Sequence, residues 1–285
     1  MPTKLRSDGS SRRPAAHRTE PTASDYTPST HPKPERLLRV AGLAAVSALF
    51  RHGPERVVRL FYEDRRVADV GEFCARMAEL RRPYRCVGGD ELARIAGTLQ
   101  HGGVVAAAKP KAERLLSVSE MKRRANAGAT WFVLDGIGNP HNLGAIARSL
   151  AFFGFNSLVL SDHPRQAGLS DAAYRTAEGG LDCLEIFRVK TFSYWLRLIK
   201  PEYQVIGTAL NRQGAPIDRI FGDERPKVII LGNEETGLSP AILSVCDTLL
   251  TLPGSGKVQS LNVSATAAIL AHAASCNAWP GSVMK

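Results

Sequence analysis

The stretch WFVLDGIGNPHNLGAIARSLAFFGFNSLVL, residues 131–160, decides the fold. WFVLD at 131 has the apolar run of a buried strand, GIGNPHN at 136 has the glycine, asparagine and proline of a loop, a helix begins near Leu143, and SLVL at 157 is a second strand. Working outward, LEIFRV at 184, a helix near 192–199, QVIGTAL at 204, KVIIL at 227, a short helix after Ser239, TLLTL at 248 and an Ala-rich helix from about Asn262 to Asn277 continue the alternation. Strands separated by helices predict a parallel α/β domain, and continuous apolar strands predict a sheet covered on both faces.

Three loops follow strands and open helices: GIGNPHN at 136, GNEETG at 232 and PGSGKVQSLN at 253. In an α/β sheet such loops hold ligands, since glycines admit close backbone approach and helix-start amides offer donors. Two nucleotide motifs are excluded. A phosphate-cradling loop ending at Gly256-Lys257 needs Gly where Thr251 stands and Ser or Thr where Val258 stands. The dinucleotide fingerprint starting at Gly136 needs a third glycine where His141 stands.

In order and spacing, these segments resemble the SpoU/TrmH family of SPOUT methyltransferases. NPHNLGAIARSLAFFGF at 139–155 is similar to its Asn-x-Gly-x-x-x-Arg motif through Asn142, Gly144 and Arg148. ILGNEETGLS at 230–239 is similar to the second motif, and LPGSGKVQSLNVSATAAILAHAA at 252–274 to the third through Pro253, Gly256, Ser260, Leu261, Asn262 and Ser264. RTAEGGLD at 175–182 stands in the place of a Ser/Ala-Gly-Ala motif and departs from it at Glu178-Gly179-Gly180.

The resemblance implies S-adenosylmethionine-dependent methylation of a ribose 2′-hydroxyl in tRNA or rRNA, carried out by a C-terminal SPOUT α/β domain with a deep trefoil knot. It assigns the catalytic centre to Arg148, Asn142, Asn262, Glu234 and Ser260. The cofactor pocket falls on Thr208, Ala209, Leu210, Gly232, Leu252, Val258, Leu261 and Asn262, mostly through backbone. A guanidinium offers donors only, so anchoring a phosphate suits Arg148 better than removing a proton. Asn142 and Asn262 both lie near expected helix starts, where Asn also caps. His141 is a possible proton acceptor by chemistry, but its place in the loop reads better as a turn. The family also implies a homodimer through the knotted domain.

Upstream, helical Leu43–Phe50, extended Val57–Tyr62, helical Glu72–Leu80, extended Tyr84–Val87, helical Glu91–Ala96 and extended Val104–Ala107 make a small α/β module at 35–108. It resembles the ribosomal-protein-like substrate-binding domain of many family members. Its arginines, Arg51, Arg56, Arg59, Arg65, Arg66, Arg81, Arg82 and Arg85, read as mostly exposed and suited to phosphate. Residues 109–127 read as a basic linker, 128–285 as the methyltransferase domain, and 1–34, rich in Pro, Ser, Thr and Arg, as a disordered basic tail.

A formal net charge of +10 over 285 residues favours a polyanionic partner. Five cysteines without a C-x-x-C pair point to neither zinc nor a disulfide framework, so no metal is expected and a reducing cytoplasm fits. No apolar run reaches the roughly 18 residues of a membrane helix. Two competing expectations are a noncatalytic RNA-binding protein that keeps the SPOUT fold, and a base methyltransferase of another SPOUT branch, which typically lacks the Asn142 and Arg148 pair.

Overall fold

The computed structural model describes residues 36–126, 128–209, 215–221 and 224–278. The expected tail at 1–34 lies outside them, as does Leu210. The chain first forms β1 (Leu38–Ala41), α1 (Leu43–His52), β2 (Val57–Tyr62), α2 (Val67–Glu79), β3 (Tyr84–Cys86), α3 (Gly89–Ala96) and β4 (Val104–Ala108). These strands make a sheet of order β1-β4-β2-β3, in which β4 runs antiparallel to β1 and β2, and β3 runs parallel to β2.

The rest comprises β5 (Arg114–Leu115), α4 (Val118–Arg123), β6 (Thr130–Asp135), α5 (Pro140–Phe152), β7 (Ser157–Leu160), α6 (Asp171–Ala177), α7 (Gly180–Cys183), β8 (Glu185–Arg188), α8 (Phe192–Ile199), β9 (Gln204–Thr208), α9 (Ile217–Phe221), β10 (Lys227–Gly232), α10 (Pro240–Leu243), β11 (Thr248–Leu250) and α11 (Val263–Ala278). Its strands form a seven-stranded sheet of order β11-β9-β10-β6-β7-β8-β5, every pairing parallel. Strand period sorts the faces. Phe132, Leu134, Ile229 and Leu231 pack with Leu143, Ile146, Ala147 and Leu150 of α5 and with α6, α7 and α11. Trp131, Val133, Val228 and Ile230 pack with Phe192, Trp195, Leu196 and Ile199 of α8, Met121 of α4 and Ile242 of α10. Both faces are covered, as the unbroken apolar strands require.

The stretch 109–127 contributes more to the second sheet than its polar composition suggests. Its β5 is an edge strand beside β8, and α4, capped by the Ser117 hydroxyl, is held by bonds from Trp195 Nε1 to the Leu116 carbonyl (3.1 Å) and from the Tyr203 hydroxyl to the Met121 carbonyl (2.9 Å).

The small sheet and the α5 face of the large one share one apolar core through Ala45, Val46, Leu49, Tyr174, Ala177 and Leu181. The seam also carries a polar cluster. Arg56 Nη1 lies 2.6 Å from Asp182 Oδ1, its Nη2 donates to the Tyr174 hydroxyl at 3.1 Å, and Lys111 Nζ donates to the carbonyls of Leu181 (3.1 Å) and Asp182 (2.7 Å). Burial pushes the Asp182 carboxyl up against the opposing pull of Arg56, and pushes the Tyr174 hydroxyl up to about 12. Arg56 is therefore part of the seam and not of the outer basic surface, and Arg82 likewise turns inward, donating to the Glu55 carbonyl at 2.8 Å and to that of Val57. Among the described residues no helix is long and apolar enough to cross a membrane.

Candidate active site

Strand order places a crevice. From β6 the chain moves to β7 and β8 on one side, whereas β10, β9 and β11 fill the other, so β6 and β10 flank the point where the winding reverses. Ligand sites of open α/β sheets lie there, beyond the strands' C-terminal ends. The loop after β6 and the loop after β10 meet at this point, because Asn233 Nδ2 donates to the Gly136 carbonyl at 2.7 Å.

Each loop is fixed by its own residues. Gln166 Oε1 accepts from the amides of Gly136 (3.0 Å) and Ile137 (3.1 Å). Asn139 caps α5, accepting from the His141 amide at 2.9 Å, with Pro140 in the first turn. Buried Asn233 folds the next loop, its Oδ1 accepting from the amides of Glu235 (3.1 Å) and Thr236 (3.0 Å). A Cβ on Gly232 would sit 2.8 Å from the main chain of Gly237 and Leu238, so only glycine fits there. Thr208 Oγ1 donates to the Ile230 carbonyl (2.9 Å), and the Ala209 amide to that of Leu250 (3.0 Å), tying the ends of β9, β10 and β11 together.

On this frame three of the expected residues come together from three loops. Asn142 Nδ2 donates to Glu234 Oε1 at 2.7 Å, and Asn142 Oδ1 accepts from Asn262 Nδ2 at 3.1 Å. Because Asn139 holds the cap, Asn142 lies inside the first turn with its amide free for these contacts. Asn262 does both tasks, since its Oδ1 also accepts from the Ser264 amide at 2.7 Å. Arg148 lies farther along α5, exposed, with Nη1 2.9 Å from Glu178 Oε1. Glu178 follows α6 in the left-handed region at φ 45°, so the segment that departs from the family motif supplies the arginine's partner.

Ser260 is exposed two residues before Asn262. Leu252 is half-buried against the core, whereas Val258 and Leu261 are 72% and 49% exposed, apolar side chains at the loop rim. Sequence reasoning passed over Asn233 and Gln166. The first had a signal, being an Asn between a strand and Gly237, where an Asx turn forms. The second acts across 30 residues, which no local pattern reveals. A cleft of 510 Å³ opens beside Thr130 and Trp131, at the start of β6, and contains none of these residues.

Residues 129–272 match the family described as SpoU rRNA Methylase, and residues 39–114 match RNA 2′-O ribose methyltransferase substrate binding. The chain is 31% identical to the 23S rRNA (guanosine-2′-O-)-methyltransferase RlmB of Acinetobacter baylyi, over 82% of this chain and 94% of that one. It is 30% identical to the RlmB of Nitrosomonas europaea, over 81% and 88% respectively. In fold it is similar to an AdoMet-bound rRNA methyltransferase from Sinorhizobium meliloti, with a TM-score of 0.67 and 22% identity over 84% of this chain and 87% of that one.

Proposed function

The chain belongs to the SpoU rRNA methylase family, and from that premise we propose that it transfers the methyl group of S-adenosylmethionine to a ribose 2′-hydroxyl of ribosomal RNA. The observation that carries the reading is the Asn142–Glu234–Asn262 chain, which joins three ligand loops at the sheet's reversal point with Arg148 on the same helix.

The residues present fit the cofactor. Val258 and Leu261 leave apolar surface uncovered at the rim, suited to an adenine face, and Gly232 admits no side chain between the loops. Thr208, Ala209, Leu252 and Asn262 line the same strand ends, so we assign the pocket to them and to Leu210. When bound, S-adenosylmethionine supplies an activated methyl on a sulfonium. This chain's part is then to align the hydroxyl with that carbon and exclude competing geometries, a contribution of positioning. Arg148 anchors the phosphate next to the target ribose through its fork of donors. Asn142 and Asn262 hold the loops in register, Glu234 closes that register, and Ser260 contacts RNA from the third loop.

The same proposal keeps the division into a substrate-binding module at 35–108, a connection at 109–127 and a methyltransferase domain at 128–285 threaded as a trefoil knot, working in the cytoplasm. Exposed Phe152 on α5 and Ile269 on α11 support a homodimer through that domain. The exposed arginines Arg51, Arg59, Arg65, Arg81 and Arg85 support RNA contact by the first module.

The test incubates the protein with ribosomal RNA and S-adenosylmethionine labelled in the methyl group, then identifies nucleosides by mass spectrometry. A ribose-methylated nucleoside that disappears in Arg148→Ala is the expected result. Label on a base moves the chain to another branch, and tight RNA binding without transfer makes it a noncatalytic binder.

A further inference from the structure

Methyl transfer to a neutral hydroxyl releases a proton, and most polar groups of the site cannot accept it. Arg148 offers donors only, and the amides of Asn142 and Asn262 are not bases. Both Glu234 oxygens accept from amides, Oε1 from Asn142 (2.7 Å) and Oε2 from Asn233 (3.4 Å). Glu178 is paired with the Arg148 guanidinium at 2.9 Å.

His141 differs. Its Nδ1 lies 2.9 Å from Thr176 Oγ1, and that hydroxyl spends its single proton on the Ala172 carbonyl at 3.1 Å. Thr176 therefore accepts, and Nδ1 carries the hydrogen. The neutral ring then presents an unshared pair on Nε2, on an exposed side chain. Its tautomer is set by a second residue, as the imidazole of a hydrolytic triad is set by its aspartate. His141 also adjoins Asn142, so it stands where the three loops meet. Arg148 follows it by seven residues, about two helical turns and so on the same face, with about 10 Å between their Cα positions. Helical side chains lean toward the N-terminus, which brings the guanidinium back toward the ring. A ribose and its neighbouring phosphate span such a gap.

We propose that His141 is the general base of the methyl transfer, its tautomer held by Thr176 and its Nε2 directed to the target 2′-hydroxyl; this rests on the methyltransferase reading. The oxygen–hydrogen bond breaks toward Nε2 while the oxygen bonds the methyl carbon. The carbon–sulfur pair stays on sulfur, which leaves as a neutral thioether, and the imidazolium returns its proton to water. The segment 175–182 gains a task in this scheme, since Thr176 orients the base and Glu178 holds the phosphate anchor.

Single-turnover and steady-state rates on ribosomal RNA decide the matter. His141→Gln keeps a donor for Thr176 but no basic nitrogen, and its kcat is expected to fall about 10²–10⁴-fold with KM for RNA nearly unchanged. Added imidazole is expected to restore part of the rate of His141→Ala, and Thr176→Val to show a smaller kcat loss. Wild-type kcat in His141→Gln, a loss confined to KM, or indifference of His141→Ala to imidazole overturns the assignment alone. A wild-type protein that methylates no ribose overturns the methyltransferase reading and this assignment together.

Discussion

Replacing Arg56 by Met removes the cation from the buried seam between the two sheets. Asp182 is wholly buried and Arg56 is 13% exposed at its side chain, and Asp182 Oδ2 has no hydrogen-bond partner. Lys111 cannot substitute, because its ammonium is turned to the main-chain carbonyls of residues 181 and 182. Breaking a buried pair from one side costs about 3–5 kcal/mol. Arg56 keeps some solvent contact, so the lower end, about 3 kcal/mol, is expected. For a protein of this size that lowers Tm by roughly 6–12 °C. Burial already holds the Asp182 carboxyl above its ordinary value. A carboxyl raised in the folded state takes up protons on folding, so stability rises as pH falls through the folded value, and the variant's deficit shrinks between neutral and mildly acidic pH. The double variant Arg56→Met/Asp182→Leu removes the stranded charge and recovers most of the loss. Thermal melts of both proteins at two pH values measure this. A single variant within 2 °C of wild type (about 1 kcal/mol or less), or a double variant below the single one, refutes the reasoning.

Gly144→Ala puts a Cβ 2.4 Å from the Ala173 carbonyl oxygen. Overpacking of about 1–3 kcal/mol is expected to outweigh alanine's helix preference and lower Tm. Glu178→Gln removes the exposed partner of Arg148. Stability changes by less than about 1 kcal/mol, while filter binding shows tighter RNA association at low salt that fades at high salt. S-adenosylmethionine at about 100 times its Kd raises stability by about 2.7 kcal/mol. Gly232→Ala, whose Cβ meets the Gly237 and Leu238 main chain, loses that stabilisation in a melt with cofactor.

The parallel domain was legible because its strands are continuous apolar runs bounded by glycine and asparagine, and WFVLD, SLVL and KVIIL fall within β6, β7 and β10. What escaped was short or polar. β5 is two exposed residues that pair only because β8 offers an edge, and α6, DAAYRTA, is too brief for periodicity. α2 starts at Val67, ahead of the expected Glu72, because Val70 in its first turn is buried as Met77 is. Arg56 read as surface because its partner lies 126 residues away.

The site residues were legible as motif letters, but their division of labour was not. Asn139 and Asn142 both suit a helix start, and Pro140 favours the first as the cap, since proline fits the first turn whose amide is unpaired anyway. That choice frees Asn142 to reach Glu234 and Asn262, contacts spanning 92 and 120 residues that exist only because β6 and β10 are neighbours at the reversal of the sheet. The segment 175–182 shows the same dependence. By its letters alone it is a departure from a family motif, whereas packed against α5 it supplies Thr176 to His141 and Glu178 to Arg148. Gly180 makes that packing possible, because a Cβ there would stand 2.7 Å from the Arg148 Cα. Any larger residue at 180 must push α7 away from α5 and carry the turn bearing Glu178 with it. The glycine and the glutamate are thus two parts of one local solution, and exchanging either alone disturbs the setting of the arginine that both serve.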